Sequence, residues 1–193
     1  MASTPVFVIT GPSGAGKGTL EQELLRRFPD ALDLAVSATT RARRPAEVDG
    51  FHYWFLDAAE FERRVAEGEL LEWVEFAGNR YGTLRSEIER IRSTGRAPLL
   101  DLEIEGAHRV RDRVDGAVVV FVDAPLPELQ RRLRERATES SGEIDDRLEI
   151  ARRQKSHRDD FNYVVENDDL EFAVRELAGI VERELSAATI VRR

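Results

Sequence analysis

The chain has 193 residues, 41% hydrophobic and 34% charged, with a formal net charge of -8 and no cysteine. That length and balance fit one globular domain with insertions, and the lack of cysteine excludes disulfides and thiolate chemistry. The acidic balance argues against nucleic acid as the main partner, since such binding rests on clustered positive charge, but leaves open a small phosphorylated ligand met by local arginines.

In chain order, Met1–Pro5 carries no basic segment, and no signal peptide is expected. Val6-Phe7-Val8-Ile9-Thr10 reads as a buried strand, and Leu20, Leu24 and Phe28 repeat at helical spacing. Between them stands Gly11-Pro12-Ser13-Gly14-Ala15-Gly16-Lys17-Gly18-Thr19. A glycine-rich loop between a strand and a helix is the context of a phosphate-binding loop. Its glycines let successive N–H groups turn inward, and the helix start adds partial positive charge. The chain has two lysines, Lys17 and Lys155, and one of them stands here, where a slim ammonium fits a tight cradle. Gly18 occupies the place of the usual Ser or Thr, so the hydroxyl that normally touches Mg2+ is missing or displaced.

After a break at Pro29-Asp30-Ala31, a short strand at Leu34-Ala35-Val36 leads into Ser37-Ala38-Thr39-Thr40-Arg41-Ala42-Arg43-Arg44. Three arginines in four positions read as a second anion site, because guanidinium forks match phosphate oxygens. Glu47–Gly50 reads as a turn and His52–Leu56 as a strand. Asp57 and Glu60 have capping-box spacing and open a helix to about Ala66. Leu70–Ala77 is extended, with Glu72 among apolar residues, and Gly78-Asn79 turns the chain back. A helix with Ile88 and Ile91 on its apolar face stops at Gly95. Ala97–Leu102 is a core strand, Ala107–Arg113 a short helix, and Ala117–Val122 a β-branched strand of the kind parallel sheets bury. This last apolar run is far too short to cross a membrane. Leu126–Ala137 is an arginine-laden helix, Thr138–Glu143 a polar loop, and Ile144–Asp160 a charged helix. Tyr163–Val165 is a final strand before an amphipathic C-terminal helix. Strands alternating with helices predict an α/β fold with a parallel sheet.

These residues together resemble the guanylate kinase family over nearly the whole chain. The resemblance rests on the phosphate loop, Ser37–Arg44, Glu47-Val48-Asp49-Gly50 with Tyr53, Glu72-Trp73 and Gly78-Asn79 with Tyr81-Gly82-Thr83. Leu100-Asp101-Leu102-Glu103 with Gly106, and Asn167-Asp168-Asp169-Leu170, extend it. It implies a P-loop nucleoside-monophosphate-kinase-like, three-layer α/β/α sandwich with a parallel core sheet. The core would comprise residues 1–34, 96–126 and 159–193, with a GMP-binding insertion at 35–95 and a lid at 127–158. The implied reaction moves the γ-phosphoryl of ATP to GMP, with dGMP as a further acceptor and Mg2+ as cofactor. By resemblance, Gly11, Pro12, Ser13, Gly14, Ala15, Gly16, Lys17, Gly18, Thr19, Arg132 and Asn167 belong to ATP. Ser37, Arg41, Arg44, Tyr53, Glu72, Tyr81, Thr83, Asp101 and Glu103 belong to GMP. Lys17, Arg41, Arg136 and Arg147 are the catalytic set. No metal ligand is assigned, although Thr19, Asp101 and Glu103 are the nearest candidates to help hold Mg2+. The partners implied are GMP and ATP, without nucleic acid or membrane, in the cytoplasm.

The residues also have plainer readings. Tyr53 and Tyr81 taken alone read as core aromatics, Glu72 as a polar-face residue, and Asn167-Asp168 as a helix cap. His52, His108 and His157 show no ligand spacing. Glu103 and Glu105 stand where the family usually has Asp and Gln, and Ala137 where a lid glycine is common. A non-catalytic interaction module and a kinase for a phosphorylated ribose are the rival readings. The intact loop with Lys17 argues against the first, and the set Ser37, Glu72 and Thr83 against the second.

Overall fold

The computed structural model describes residues 4–135 and 141–190. β1 (Val6–Thr10) leads through the glycine loop into α1 (Lys17–Arg27). Then come β2 (Leu32–Leu34), β3 (Ser37–Thr39), β4 (Trp54–Phe55), α2 (Ala58–Ala66), β5 (Leu70–Phe76), β6 (Asn79–Leu84) and α3 (Arg85–Ser93). The chain continues through β7 (Ala97–Asp101), α4 (Ile104–Arg113), β8 (Ala117–Asp123), α5 (Leu126–Glu135) and α6 (Ser141–Lys155). A 3-10 turn at Arg158–Asp160, β9 (Tyr163–Glu166) and α7 (Leu170–Ile190) follow.

Five strands form a parallel sheet in the order β2-β7-β1-β8-β9. Side chains alternate across it. Val6 and Val8 pack with Ile88 and Ile91 of α3 and Ala107 and Val110 of α4. Phe7 and Ile9 face the other way, against Leu20 and Leu24 of α1 and Leu177 and Val181 of α7. Neither face meets water, so β1 reads as one continuous apolar run. The result is the expected three-layer α/β/α sandwich. A second sheet, ordered β4-β3-β6-β5, has its own apolar cluster of Ala38, Phe61, Leu70 and Leu84 backed by Trp54 and Trp73. Asp57 caps α2 as its spacing predicts, accepting from the Glu60 amide at 2.8 Å.

Several boundaries differ from the expectation. The strand expected at Leu34–Val36 divides because its ends join different sheets. The Ala35 amide bonds Leu99 O at 2.9 Å, while Ser37 pairs with Thr83. The strand expected over His52–Leu56 shrinks to β4, because Gly50 donates to Tyr53 O and Val48 to His52 Nδ1, holding that stretch as a turn. α4 starts at Ile104 because its first turn closes on Glu103, whose carbonyl accepts from Ala107 at 2.9 Å. Ser141 is already helical; residues 138–140 of the expected loop, and 136–137 of the helix expected before it, lie outside the described residues. The charged helix ends at Lys155, where i→i+3 bonds from Ser156 and His157 tighten the last turn.

The hairpin turn is also displaced. Phe76 pairs with Asn79, so the two-residue loop is Ala77-Gly78, with φ of 49° and 72°. Two positive φ values make a primed turn, which suits the twist of the flanking strands. Glycine adopts that geometry freely and alanine does not, because its Cβ crowds the following carbonyl. Ala77→Asn creates an Asn-Gly turn and is expected to raise stability by about 0.5–1 kcal/mol. Urea unfolding checks it, and an unchanged or lower midpoint would show that the alanine is not strained.

Candidate functional site

The parallel sheet delivers the C-terminal ends of β1, β7, β8 and β9 to one edge, where ligands of open α/β sheets bind. The loop after β1 has three glycines at positive φ: Gly11 (140°), Gly14 (87°) and Gly16 (89°). Gly11 is forced by packing as well, since a Cβ there would lie 2.1 Å from Val122 O of β8. Gly16 precedes α1 in the left-handed region without a side-chain cap, and the first turn of α1 has no acidic residue. The helix start is therefore open to an anion. Lys17 folds across the loop, its Nζ donating to Gly11 O at 3.0 Å.

Arg132 of α5 and Asn167 after β9 converge on this loop. Ala15 O accepts from Asn167 Nδ2 at 2.7 Å and Arg132 Nη1 at 3.2 Å, and Arg132 Nη2 reaches Asn167 O at 2.8 Å. Glu128 orients the guanidinium through Nε at 2.6 Å. A cavity of about 300 Å³ opens beside them, lined by Gly14, Gly16, Thr19, Arg132, Glu135, Asn167 and Leu170.

A second cavity of about 190 Å³ lies between the two sheets. Its walls include Ser37, Tyr53, Glu72, Tyr81, Asp101 and Glu103, residues drawn from β3, β5, β6, β7 and their loops. Glu72 is 2% exposed, and its Oε1 accepts from Thr83 Oγ1 at 2.9 Å. Burial lifts its carboxyl above the ordinary range, and the bonds from Thr83 oppose the shift. Gly106 of α4 permits this placement, since a Cβ there would sit 2.8 Å from Glu72 Oε2. Tyr53 and Tyr81 meet edge to face with ring centroids 6.1 Å apart, and the Arg41 guanidinium lies 5.5 Å from the Tyr53 ring centre. Burial, above all, raises the Tyr53 phenol, which keeps it a proton donor. Arg41 pairs with Glu47 at 2.7 Å, and the same carboxylate accepts the Arg44 amide at 2.8 Å, bracing the loop.

The β1 and β7 ends also hold an acidic group that only partly follows the sequence expectation. Asp101, whose side chain is open to the cavity, and Glu103 are both lifted by the surrounding protein displacing water, with Lys17 pulling each down. Gln154 of α6 donates to Glu103 Oε2 at 3.3 Å. Glu21, one turn after Lys17 on α1, is 6% exposed, and its Oε1 has no hydrogen-bond partner. Its carboxyl is pushed up to about 8 by burial and then by Asp101, against the pull of Lys17.

The geometry therefore brings Ser37, Tyr53, Glu72, Tyr81, Asp101 and Glu103 to one cavity, with Thr83 buried behind Glu72 and Arg41 against Tyr53. Arg44 is exposed beside the Glu47 brace, and Arg147 is exposed on α6. Arg136 and Ala137 lie outside the described residues. Sequence reasoning missed Glu21, Glu47 as the partner of Arg41, and the contact role of Gly106. The i, i+4 spacing of Lys17 and Glu21 was the available signal for the first.

A phosphate loop, a parallel sheet of this order and a second sheet closing a cavity beside it define a P-loop nucleoside monophosphate kinase. The guanylate kinase family model matches residues 3–184. The chain is 44% identical over 180 residues to a guanylate kinase of Desulfitobacterium hafniense, covering 93% of this chain and 90% of that one. It is 48% identical over 175 residues to one of Parasynechococcus marenigrum, covering 90% and 96%. The crystal structure of guanylate kinase from Anaplasma phagocytophilum superposes with a TM-score of 0.74 at 28% identity, covering 96% of this chain and 88% of that one. The chain belongs to the guanylate kinase family and transfers the γ-phosphoryl of ATP to GMP. No described helix is long and apolar enough to cross a membrane.

Gly106→Ala is expected to displace the Glu72 carboxylate and lower kcat/KM for the acceptor by about 10- to 100-fold, with KM for ATP little changed. Steady-state kinetics with each substrate varied checks it, and unaltered acceptor kinetics would show that Glu72 has room to move. Glu21 yields a pH prediction. A carboxyl near 4.5 in the open chain and about 8 in the fold holds a native proton that the unfolded chain has lost. Stability therefore falls as pH rises through that window. Glu21→Gln cannot ionise, so it is expected to match wild type near pH 5 and exceed it at pH 8.5 by on the order of 1–3 kcal/mol. Urea unfolding across that range checks it; parallel curves would place the Glu21 titration elsewhere.

Proposed function

We propose that the cavity between the sheets is the GMP site and that the phosphate loop with the Arg132–Asn167 cavity is the ATP site. The observation that carries this reading is Glu72. A carboxylate 2% exposed, with one oxygen on Thr83 and the other packed against Gly106 at the edge of a cavity, needs further donors. Guanine N1–H and N2–H supply two on one edge, while the Ser37 hydroxyl serves O6, the Thr83 hydroxyl being already donated to Glu72. Arg41, Arg44, Tyr53 and Tyr81 would hold the GMP phosphate dianion with two guanidiniums and two phenols. Asp101 and Glu103 would close the floor between the two nucleotides.

The loop amides, α1 start and Lys17 would hold the ATP phosphates, with Arg41, Arg136 and Arg147 neutralising charge on the transferred group. Phosphoryl transfer asks the protein mainly for such positioning and charge. Mg2+ fits the donor set: Lys17 faces the carboxyls of Asp101 and Glu103, hard oxygens suited to a dication. With Gly18 lacking a hydroxyl, Thr19, Asp101 and Glu103 would hold the ion through its water shell. Bound there, Mg2+ would neutralise charge on the nucleotide phosphates. Residues 35–95 would act as the GMP-binding unit and 127–158 as a lid closing over the substrates and excluding water. The separate core of the second sheet supports the first, although α3 packs on the main sheet and would move with it. The cysteine-free composition suits the cytoplasm.

The test is base choice. Adenine would set Glu72 against the N1 lone pair and offer nothing at C2. Sites built around substrate hydrogen bonds reject analogues lacking them by on the order of 10⁴–10⁵. GMP is expected to exceed AMP by several orders of magnitude in kcat/KM, with IMP between them. Glu72→Gln should reduce GMP use most, since an amide accepts poorly from two donors at once. The comparison is GMP, IMP and AMP on both proteins; an unchanged GMP value in the variant would remove Glu72 as the reader.

A further inference from the structure

A group of side chains away from the nucleotide cleft has the arrangement of a ligand set. His108 projects from α4, while His157 and Asp160 flank the 3-10 turn after α6. The turn closes with the Asp160 amide donating to His157 O at 3.0 Å, and the 3-10 repeat places residues i and i+3 side by side. His157 Nδ1 lies 2.9 Å and His108 Nε2 lies 3.3 Å from the same carboxylate oxygen, Asp160 Oδ2. All three ligand atoms fall within 4.8 Å of one another, the one such group of His, Cys, Asp or Glu among the described residues. None of the three lines either nucleotide cavity.

We propose that His108 Nε2, His157 Nδ1 and Asp160 Oδ2 bind a divalent metal ion of the Zn2+ class. Tetrahedral Zn2+ with bonds of about 2.0–2.1 Å keeps its ligand atoms about 3.3 Å apart. The His108 Nε2–Asp160 Oδ2 separation of 3.3 Å equals that value, while His157 Nδ1, at 2.9 Å, exchanges its hydrogen bond to Asp160 for the ion. His108 Nε2 is buried and makes no hydrogen bond, although a carboxylate oxygen is 3.3 Å away. A nitrogen and an anionic oxygen held close without hydrogen-bond alignment are what two ligands of one ion look like. The supporting contacts suit this as well. Phe161 meets the His108 ring edge to face with centroids 4.7 Å apart, fixing its plane. Arg111 is engaged elsewhere, donating to the Asp160 main-chain carbonyl at 2.7 Å and to Asp112 at 2.8 Å.

Imidazole with one carboxylate favours Zn2+ over the oxygen-seeking Mg2+. The two kinds of site are thus chemically separate, one in the cleft and one joining α4 to the foot of α6.

The experiment is calorimetric titration of the full chain with Zn2+ in excess Mg2+, which fills oxygen-only sites. One Zn2+ equivalent is expected, weakened at least about 10-fold by His108→Gln, His157→Gln or Asp160→Asn, and unaltered by His52→Gln. Thermal unfolding gives a second reading: Zn2+ should raise Tm of wild type and of His52→Gln, but not of His108→Gln. Co2+ as a spectroscopic probe should give visible bands of tetrahedral coordination in wild type that His157→Gln abolishes. Absence of stoichiometric Zn2+ binding in excess Mg2+ overturns the proposal. So does binding that survives the paired His108→Gln and His157→Gln substitutions, or that His52→Gln removes.

Discussion

Parallel pairing of β1 with β7 and β8 is the constraint on which the rest of the structure depends. It points three strand ends the same way and sets Gly11, Asp101 and Asp123 along one edge. It also requires both faces to be covered, because each crossover returns a helix to one side. Helices α3 and α4 cover one face, and α1 and α7 the other. The chemistry lies at the strand ends because the backbone leaves the sheet there, and the loop amides are free to meet a ligand.

Electrostatics at that edge run against the simplest picture of a phosphate site. Lys17 stands among three carboxyls, and each is lifted more by displaced water than by any charge acting on it. The arginines stand further out, several already tied to carboxylates, as Arg41 is to Glu47 and Arg132 to Glu128. A buried carboxylate without donors is costly. Such a site is least stable when empty and gains most from a ligand bringing N–H groups or a cation.

Close approach between distant segments supplies the precision. Gly11 lets the loop pass Val122 O, Gly16 lets Asn167 reach Ala15 O, and Gly106 lets Glu72 settle against α4. In each pair the partner comes from a different element, and a single Cβ would hold the two apart. Lys155 and Arg158 add a similar fastening at the foot of α6, where both meet the buried carboxylate of Asp123.

Local chemistry made much of this legible in advance. The β1–loop–α1 unit follows from an apolar run, glycine spacing and helical periodicity, all properties of adjacent residues. The same holds for the Asp57 cap and the β-branched β8. Family resemblance marked Glu72 as a candidate reader, whereas its position taken alone read as the polar face of a strand. What the residues could not disclose depends on packing between segments far apart. The turn moved to Ala77-Gly78 because strand register, fixed across the sheet, outweighed the local preference for Gly78-Asn79. Glu21 has no local mark of burial, and only the packing of α1 into the fold buries it within reach of the Asp101 charge. His108 and His157 are 49 positions apart and show no motif, yet the α4 face and the 3-10 turn bring both to Asp160. Sequence alone determined the elements and the phosphate loop, because short-range sterics and periodicity write them locally. Tertiary structure decided which carboxylates are buried and which side chains meet, because desolvation and contact exist only once the layers close.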